Sequence, residues 1–219
     1  MKRIISIVLL SALLLTAMSF TASAASGFSD VPAGSWYEKA VLWATKQGIA
    51  TGVSEGKFGP NQPVTRGQVV TMLWRMEGSP KASGSGGFSD VKSGVYYAEA
   101  VVWAAKNSLV NGYPNGTFVP NRKISRQELV TILYRYAEYR GKSVAAPSTS
   151  FSAFTDADKV ASYALAPMRW AVGNGIVSGT TASTLSPSGA ATRAQFVQML
   201  YRWLGDNTGS WDLPIIPAN

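Results

Sequence analysis

Apolar residues recur at helical spacing along residues 36–47. Trp36, Ala40 and Trp43 fall at i, i+4 and i+7, and Tyr37, Val41 and Ala44 lie on an adjacent stripe. This spacing predicts an amphipathic helix over 36–47. Lys46 sits in its last turn, where a cation suits the dipole, and Gly48 is placed to leave it in a left-handed conformation. A second stretch, Val69, Val70, Met72, Leu73 and Met76, is apolar over a wider arc. So broad a face predicts a helix packed on several neighbours. The intervening Gly52-Val53-Ser54-Glu55-Gly56-Lys57-Phe58 reads as a structured turn, with Phe58 expected to plug the core.

The whole pattern occurs three times. Tyr96, Ala100 and Trp103 repeat the first helix, while Leu129, Val130, Ile132, Leu133 and Tyr136 repeat the second. Phe196, Val197, Met199, Leu200 and Trp203 supply the second helix of the third copy, and Phe118 and Leu185 match Phe58. Phe28, Phe88 and Phe154 each open an aromatic-x-Asp step that ends at Asp30, Asp90 and Asp156. Trp43, Trp103 and Trp170 each precede an Ala, and Gly52, Gly112 and Gly179 mark the next turn. The offset between copies one and two is 60; between two and three it is 66 at the Phe and 67 from Tyr163 onward. One extra residue therefore lies between Asp156 and Tyr163. Asn115-Gly116 is a tight-turn signal. In copy three, Pro167 replaces Ala40 and Ala100, so its first helix is expected to begin there and be short, weakened further by Gly173. Ser108 stands where the other copies have Gly48 and Gly175.

Each second helix opens on one motif: Thr65-Arg66-Gly67-Gln68, Ser125-Arg126-Gln127-Glu128 and Thr192-Arg193-Ala194-Gln195. A hydroxyl followed at the fourth position by Gln or Glu is a capping box, in which each side chain satisfies a backbone N–H at the helix start. The Arg is the odd member. At the first helical position a cation is disfavoured by the dipole, by roughly 0.3–1 kcal/mol. Three guanidinium groups so placed point to a task beyond local stability. An anion would offset their charge, and free N–H groups at the helix start are expected to add donors to it. The alternative is an ion pair from each Arg to Asp30, Asp90 or Asp156, within or between copies.

Composition narrows the chemistry. There is no Cys and no His, which excludes thiol and imidazole catalysis and thiolate or imidazole metal ligands; no cofactor is expected. Lys2 and Arg3, an apolar run from Ile4 to about Met18, and Ala22-Ser23-Ala24 form a secretory signal pattern over 1–24. The run is short for a membrane anchor. Without Lys2 and Arg3 the chain holds 18 basic against 12 acidic residues, or +6. The charges are scattered and the chain carries an export signal, so an anionic extracellular polymer fits better than nucleic acid, and no membrane insertion is expected after cleavage. The boundaries follow: 1–24 signal peptide, 28–79 repeat one, 80–87 link, 88–141 repeat two, 142–153 link, 154–205 repeat three and 206–219 tail. Both links are rich in Gly, Ser, Ala or Pro and read by composition as flexible.

The order Phe-x-Asp, Trp-Ala, Gly-containing turn, Pro and Thr/Ser-Arg-x-Gln/Glu, three times over, resembles the S-layer homology domain family. The resemblance covers roughly residues 28 to 205. It implies an all-α fold in which three helix-loop-helix repeats form a pseudo-threefold, three-pronged bundle. It also implies non-covalent anchoring to a Gram-positive-type wall, at the cell surface, by binding a secondary cell-wall polysaccharide that often carries pyruvate ketals on N-acetylmannosamine. The ligand-binding Arg of that family falls on Arg66, Arg126 and Arg193. The family's acid is kept only at Glu128; Gln68 and Gln195 replace it, so the three sites are not expected to be equal. Asp30, Asp90 and Asp156 are candidates either for sugar hydroxyls or for turn-making. Trp43, Trp103 and Trp170 are candidates for the core or for a groove wall, and Trp36, Tyr96 and Tyr163 are expected to be partly exposed. Two other functions compete. One is a protein-binding scaffold or S-layer component. The other is a wall hydrolase with two carboxylates, disfavoured because the repeated acids occur one per copy in like settings.

Overall fold

The computed structural model describes residues 27–84, 86–147 and 151–205; the predicted signal segment and the tail lie outside them. Six α-helices carry the fold: α1 (Glu38–Lys46), α2 (Arg66–Met76), α3 (Ala98–Lys106), α4 (Arg126–Tyr139), α5 (Leu165–Gly173) and α6 (Arg193–Leu200). Each copy contributes one pair. The last helix continues into a π turn over Tyr201–Gly205, and among the described residues β pairing is confined to isolated bridges. The described residues form an all-α fold, as the resemblance implies.

All three capping boxes form. Thr65, Ser125 and Thr192 accept the N–H of Gln68, Glu128 and Gln195, whose side chains accept the cap residue's N–H in return. The residue before each cap is apolar and wholly buried: Val64, Ile124 and Ala191. These three meet at the centre. The Val64 N–H donates to Ala191 O at 2.9 Å, the Ala191 N–H to Ile124 O at 3.0 Å, and the Ile124 N–H to Val64 O at 3.1 Å. The bonds close a ring, so each copy is donor to one neighbour and acceptor from the other.

Helices then pair across copies rather than within them. α2 packs on α3, α4 on α5, and α6 on α1, giving three prongs around the central ring. The apolar faces merge into one core, in which Phe58, Phe118 and Leu185 are fully buried. A connecting turn forms at Asn115-Gly116, with Gly116 at φ +75° and the Thr117 N–H donating to Asn115 Oδ1.

Two expectations change. α5 is not shorter; it has nine residues, as α1 and α3 do. Pro167 is its third residue, inside the first turn, where an N–H has no intrahelical partner to lose. Gly173 ends the helix at a close approach, since a Cβ there would come within 3.0 Å of Pro147. The links are also pinned where they are described: Trp74 Nε1 donates to Pro80 O at 2.8 Å, and Asn174 Nδ2 to Ala145 O at 3.1 Å.

Gly48 and Gly175 leave α1 and α5 at φ +67° and +70°, and Ser108 adopts φ +58° at the same place after α3. A left-handed conformation costs an L-residue roughly 1–2 kcal/mol, part of which Gly returns to unfolded-state entropy. Ser108→Gly is therefore expected to stabilise the fold by about 0.5–1 kcal/mol. Urea unfolding would show this as a raised midpoint at an unchanged slope.

Candidate functional site

The Arg of each capping motif reaches into the next copy. Arg66 Nε donates to Phe118 O at 2.9 Å and its Nη2 to Asn111 O at 2.9 Å. Arg193 does the same to Phe58 O at 3.0 Å and Thr51 O at 2.7 Å, and Arg126 Nε donates to Leu185 O at 2.7 Å. The guanidinium groups of Arg66 and Arg193 lie over the rings of Phe118 and Phe58, with centroid distances of 4.4 and 4.7 Å. All three are nearly enclosed, at 7%, 3% and 3% exposure for Arg66, Arg126 and Arg193. Burial pushes their pKa down from the ordinary value, but a guanidinium stays charged at neutral pH.

The helix-start N–H groups are not free, contrary to the sequence-based expectation. The first two of α2 donate to Arg122 O and Pro120 O, those of α4 to Gly189 O and Pro187 O, and those of α6 to Gln62 O and Pro60 O. The third donates to the cap side chain. Every donor that an anion could use there is consumed by a neighbouring loop or by the cap.

The repeated Asp residues do a different local job. The Asp30 carboxylate accepts the N–H groups of Phe58 and Gly59, Asp90 those of Phe118 and Val119, and Asp156 those of Leu185 and Ser186, all at 2.7–2.9 Å. Each ties the start of its copy to the loop that the incoming Arg clamps from the other side. None pairs with a motif Arg, and none lines the grooves described below. Desolvation raises the Asp30 and Asp156 carboxyls, but the backbone donors at each, together with nearby Lys57 and Lys159, hold them below the ordinary value.

Three grooves lie between the prongs, and each is assembled from all three copies. The groove of copy one holds Thr51 and Gly52 from its turn, Gln68, Thr71 and Arg75 from α2, Arg193 from copy three and Tyr96 from copy two, in about 420 Å³. The groove of copy two combines Asn111, Tyr113, Glu128 and Arg135 with Arg66 and Tyr163, in about 270 Å³. That of copy three combines Ser178, Gln195, Gln198 and Arg202 with Arg126 and Trp36, in about 290 Å³. Trp36, Tyr96 and Tyr163 remain 59%, 57% and 53% exposed, so each groove presents a wet aromatic beside buried charge. Trp103 and Trp170 are buried within prongs, and Trp43 is half-buried in a separate surface groove.

The second guanidinium of each groove was legible in the sequence but unread. Arg75, Arg135 and Arg202 each follow a motif Arg by nine residues. Nine residues at 3.6 per turn is two and a half turns, so the pair faces opposite sides of α2 and of α4; in copy three Arg202 lies in the π turn that continues α6. Each second helix thus sends its motif Arg into one groove and its later Arg into the next. The grooves are not identical. Glu128 is ion-paired with Arg122, and both Arg66 and Arg122 lie over the Tyr113 ring, at 5.3 and 5.7 Å. Copies one and three have neutral Gln68 and Gln195 in place of Glu128.

Two outcomes follow. Arg193→Ala strips the donor from the buried Phe58 carbonyl and from the part-buried Thr51 carbonyl and is expected to cost about 2–4 kcal/mol, whereas exposed Arg202→Ala should change stability by no more than about 0.5 kcal/mol; denaturant titration of both checks this. For the Asp clamps, the folded carboxyls of Asp30 and Asp156 lie below the ordinary aspartate value. The unfolded chain therefore binds more protons, and their stabilisation is full above about pH 4 and lost as pH falls through the folded values. Asp156→Asn should cost about 1.5–3 kcal/mol at neutral pH and flatten the acid limb of a stability–pH curve relative to wild type.

The sequence model of the S-layer homology domain matches residues 27–70, 87–130 and 153–197, which is more than half of the chain. The surface-layer 125 kDa protein of Lysinibacillus sphaericus is 29% identical over 196 residues, covering 88% of this chain and 16% of that protein. An amylopullulanase of Thermoanaerobacterium thermosulfurigenes is 29% identical over 178 residues, 80% of this chain and 9% of the relative. A cellulosome-anchoring protein of Acetivibrio thermocellus is 26% identical over 157 residues, 70% of this chain and 34% of the relative. The chain thus spans well under two thirds of each of these proteins.

Proposed function

The chain belongs to the S-layer homology domain family, and from that premise we propose that it is a non-covalent cell-wall anchor whose three grooves bind an anionic wall polysaccharide. Its relatives include a surface-layer protein, a polysaccharide-degrading enzyme and an anchoring protein. A segment shared by proteins so unlike in task is a binding module rather than the carrier of any one reaction. This places the protein at the cell surface, in association with the wall.

The observation that carries the ligand class is the recurrence of one donor set. Every groove pairs an enclosed motif guanidinium with a second guanidinium on the facing helix, and adds a solvent-exposed aromatic at the mouth. Guanidinium engages a planar carboxylate through two parallel hydrogen bonds better than an ammonium does, and an exposed ring beside it offers a large apolar face against which a sugar ring can pack. A sugar bearing a carboxylate, such as a pyruvate ketal on N-acetylmannosamine, satisfies both. Arg66, Arg126 and Arg193 fix charge at the inner end of each groove, while Arg75, Arg135 and Arg202 make the adjustable contact. The neutral Gln68 and Gln195 set the grooves of copies one and three apart from that of copy two, whose Glu128 is paired with Arg122.

Because the motif Arg residues also hold the fold, the later Arg residues are the cleaner probes. Sedimentation with purified walls is expected to fall about tenfold for Arg202→Ala, the loss of one charge-assisted contact, with the circular dichroism spectrum unchanged. Chemical removal of the ketal from the walls should lower wild-type binding at least as far. Undiminished binding to ketal-free walls would sink the carboxylate reading and favour a protein partner in the wall.

A further inference from the structure

Two prongs of the bundle are covered by the links between repeats. On the prong of α2 and α3, the link after Gly78 lies along the helices. Trp74 Nε1 donates to Pro80 O, Lys106 Nζ donates to Ser83 O at 3.2 Å, and Ala82 packs on the core. Val102 and Trp103 beneath it are buried. On the prong of α4 and α5, Asn174 Nδ2 donates to Ala145 O, Val144 packs on the core, and Pro147 lies against Gly173. Trp170 beneath is buried as well.

The prong of α6 and α1 has no such cover among the described residues. Trp43 stands at the place of Trp103 and Trp170, yet it is only half-buried, edge-on to Tyr201 at 5.8 Å. Leu42 and Trp43 share an open groove of about 690 Å³ with Lys39, Lys46, Tyr201 and Gly205. Lys46 matches Lys106, which on its own prong holds a link carbonyl.

We propose that residues 206–219 seat in this groove, taking on the third prong the place that the two links take on the others. Three observations name this occupant. Gly205 stands where Gly78 stands in copy one and itself lines the groove, so the following residues start there. The segment carries Trp211, Leu213, Ile215 and Ile216, larger apolar side chains than Ala82, for a groove left open by a half-buried Trp. Its charged side chains are Asp206 and Asp212, with no Lys or Arg, opposite in sign to the Lys39 and Lys46 that flank the groove. Seating the segment would complete the pseudo-threefold arrangement and remove Trp43 from water.

Zero-length carbodiimide coupling of the full chain, followed by peptide mass spectrometry, tests this. The expected result is an amide between Asp212 and Lys46 or Lys39 within the monomer, at the same yield after tenfold dilution. Trp211→Ala should lower that yield several-fold and speed amide exchange over residues 42–47. Coupling between two chains that disappears on dilution would give the groove to a second copy instead. Absence of any Asp212 coupling to these lysines, together with unchanged exchange in Trp211→Ala, would overturn the proposal outright.

Discussion

The structure depends on one closed ring of three backbone hydrogen bonds, through Val64, Ala191 and Ile124. Each bond alone is worth about 0.5–1.5 kcal/mol net, but the ring fixes the angle and direction in which three helices leave the centre. The residues immediately after it are the helix caps, so the orientation of α2, α4 and α6 is set at their first turn. From there each motif Arg is delivered to the loop of the next copy, and that loop is already held by its own Asp. The Asp and the Arg therefore act as two hands on one segment, one from inside the repeat and one from outside. A chain without disulfides gains by this a set of cross-links between copies that do not rely on apolar area alone.

Much of this was legible in the sequence. The three-fold recurrence, the helix starts and the plugs Phe58, Phe118 and Leu185 follow from period and capping chemistry, which are local. The destination of each Arg did not. The charge beside the dipole signalled an acceptor, and an external anion or one of the repeated Asp residues was the natural expectation. The acceptors are backbone carbonyls of another copy, and no side-chain pattern marks a carbonyl. Arg193 reaches Phe58, 135 residues away, because the third copy closes on the first. Pro167 misled for a simpler reason. A Pro marks the first turn of a helix, but it does not say which residue of that turn it occupies.

The grooves were the least legible feature, because each needs residues from three copies. Tyr96, Arg193 and Gln68 belong together only once the ring has closed. What the sequence did hold was the nine-residue step from each motif Arg to a second Arg. With the helix period, that step already places the two on opposite sides of α2 and α4, while in copy three Arg202 lies in the π turn that continues α6. Read with the three-fold order, it implies that every site between neighbouring second helices receives two guanidinium groups of different origin.

This double origin has a consequence for how such grooves can change. The enclosed Arg cannot be altered without leaving loop carbonyls unpaired, so variation in ligand preference must fall on the other members. Copy two illustrates it. Glu128 keeps the capping bond to the Ser125 N–H while also holding Arg122, and Arg122 and Arg66 share the face of Tyr113. The extra acid is thus paired locally, and the groove keeps two guanidinium groups, as its sisters do, in the smallest of the three volumes. Fixed charge at the inner end and variable groups at the rim allow three grooves on one scaffold to differ in size and polarity while their anchoring Arg remains the same.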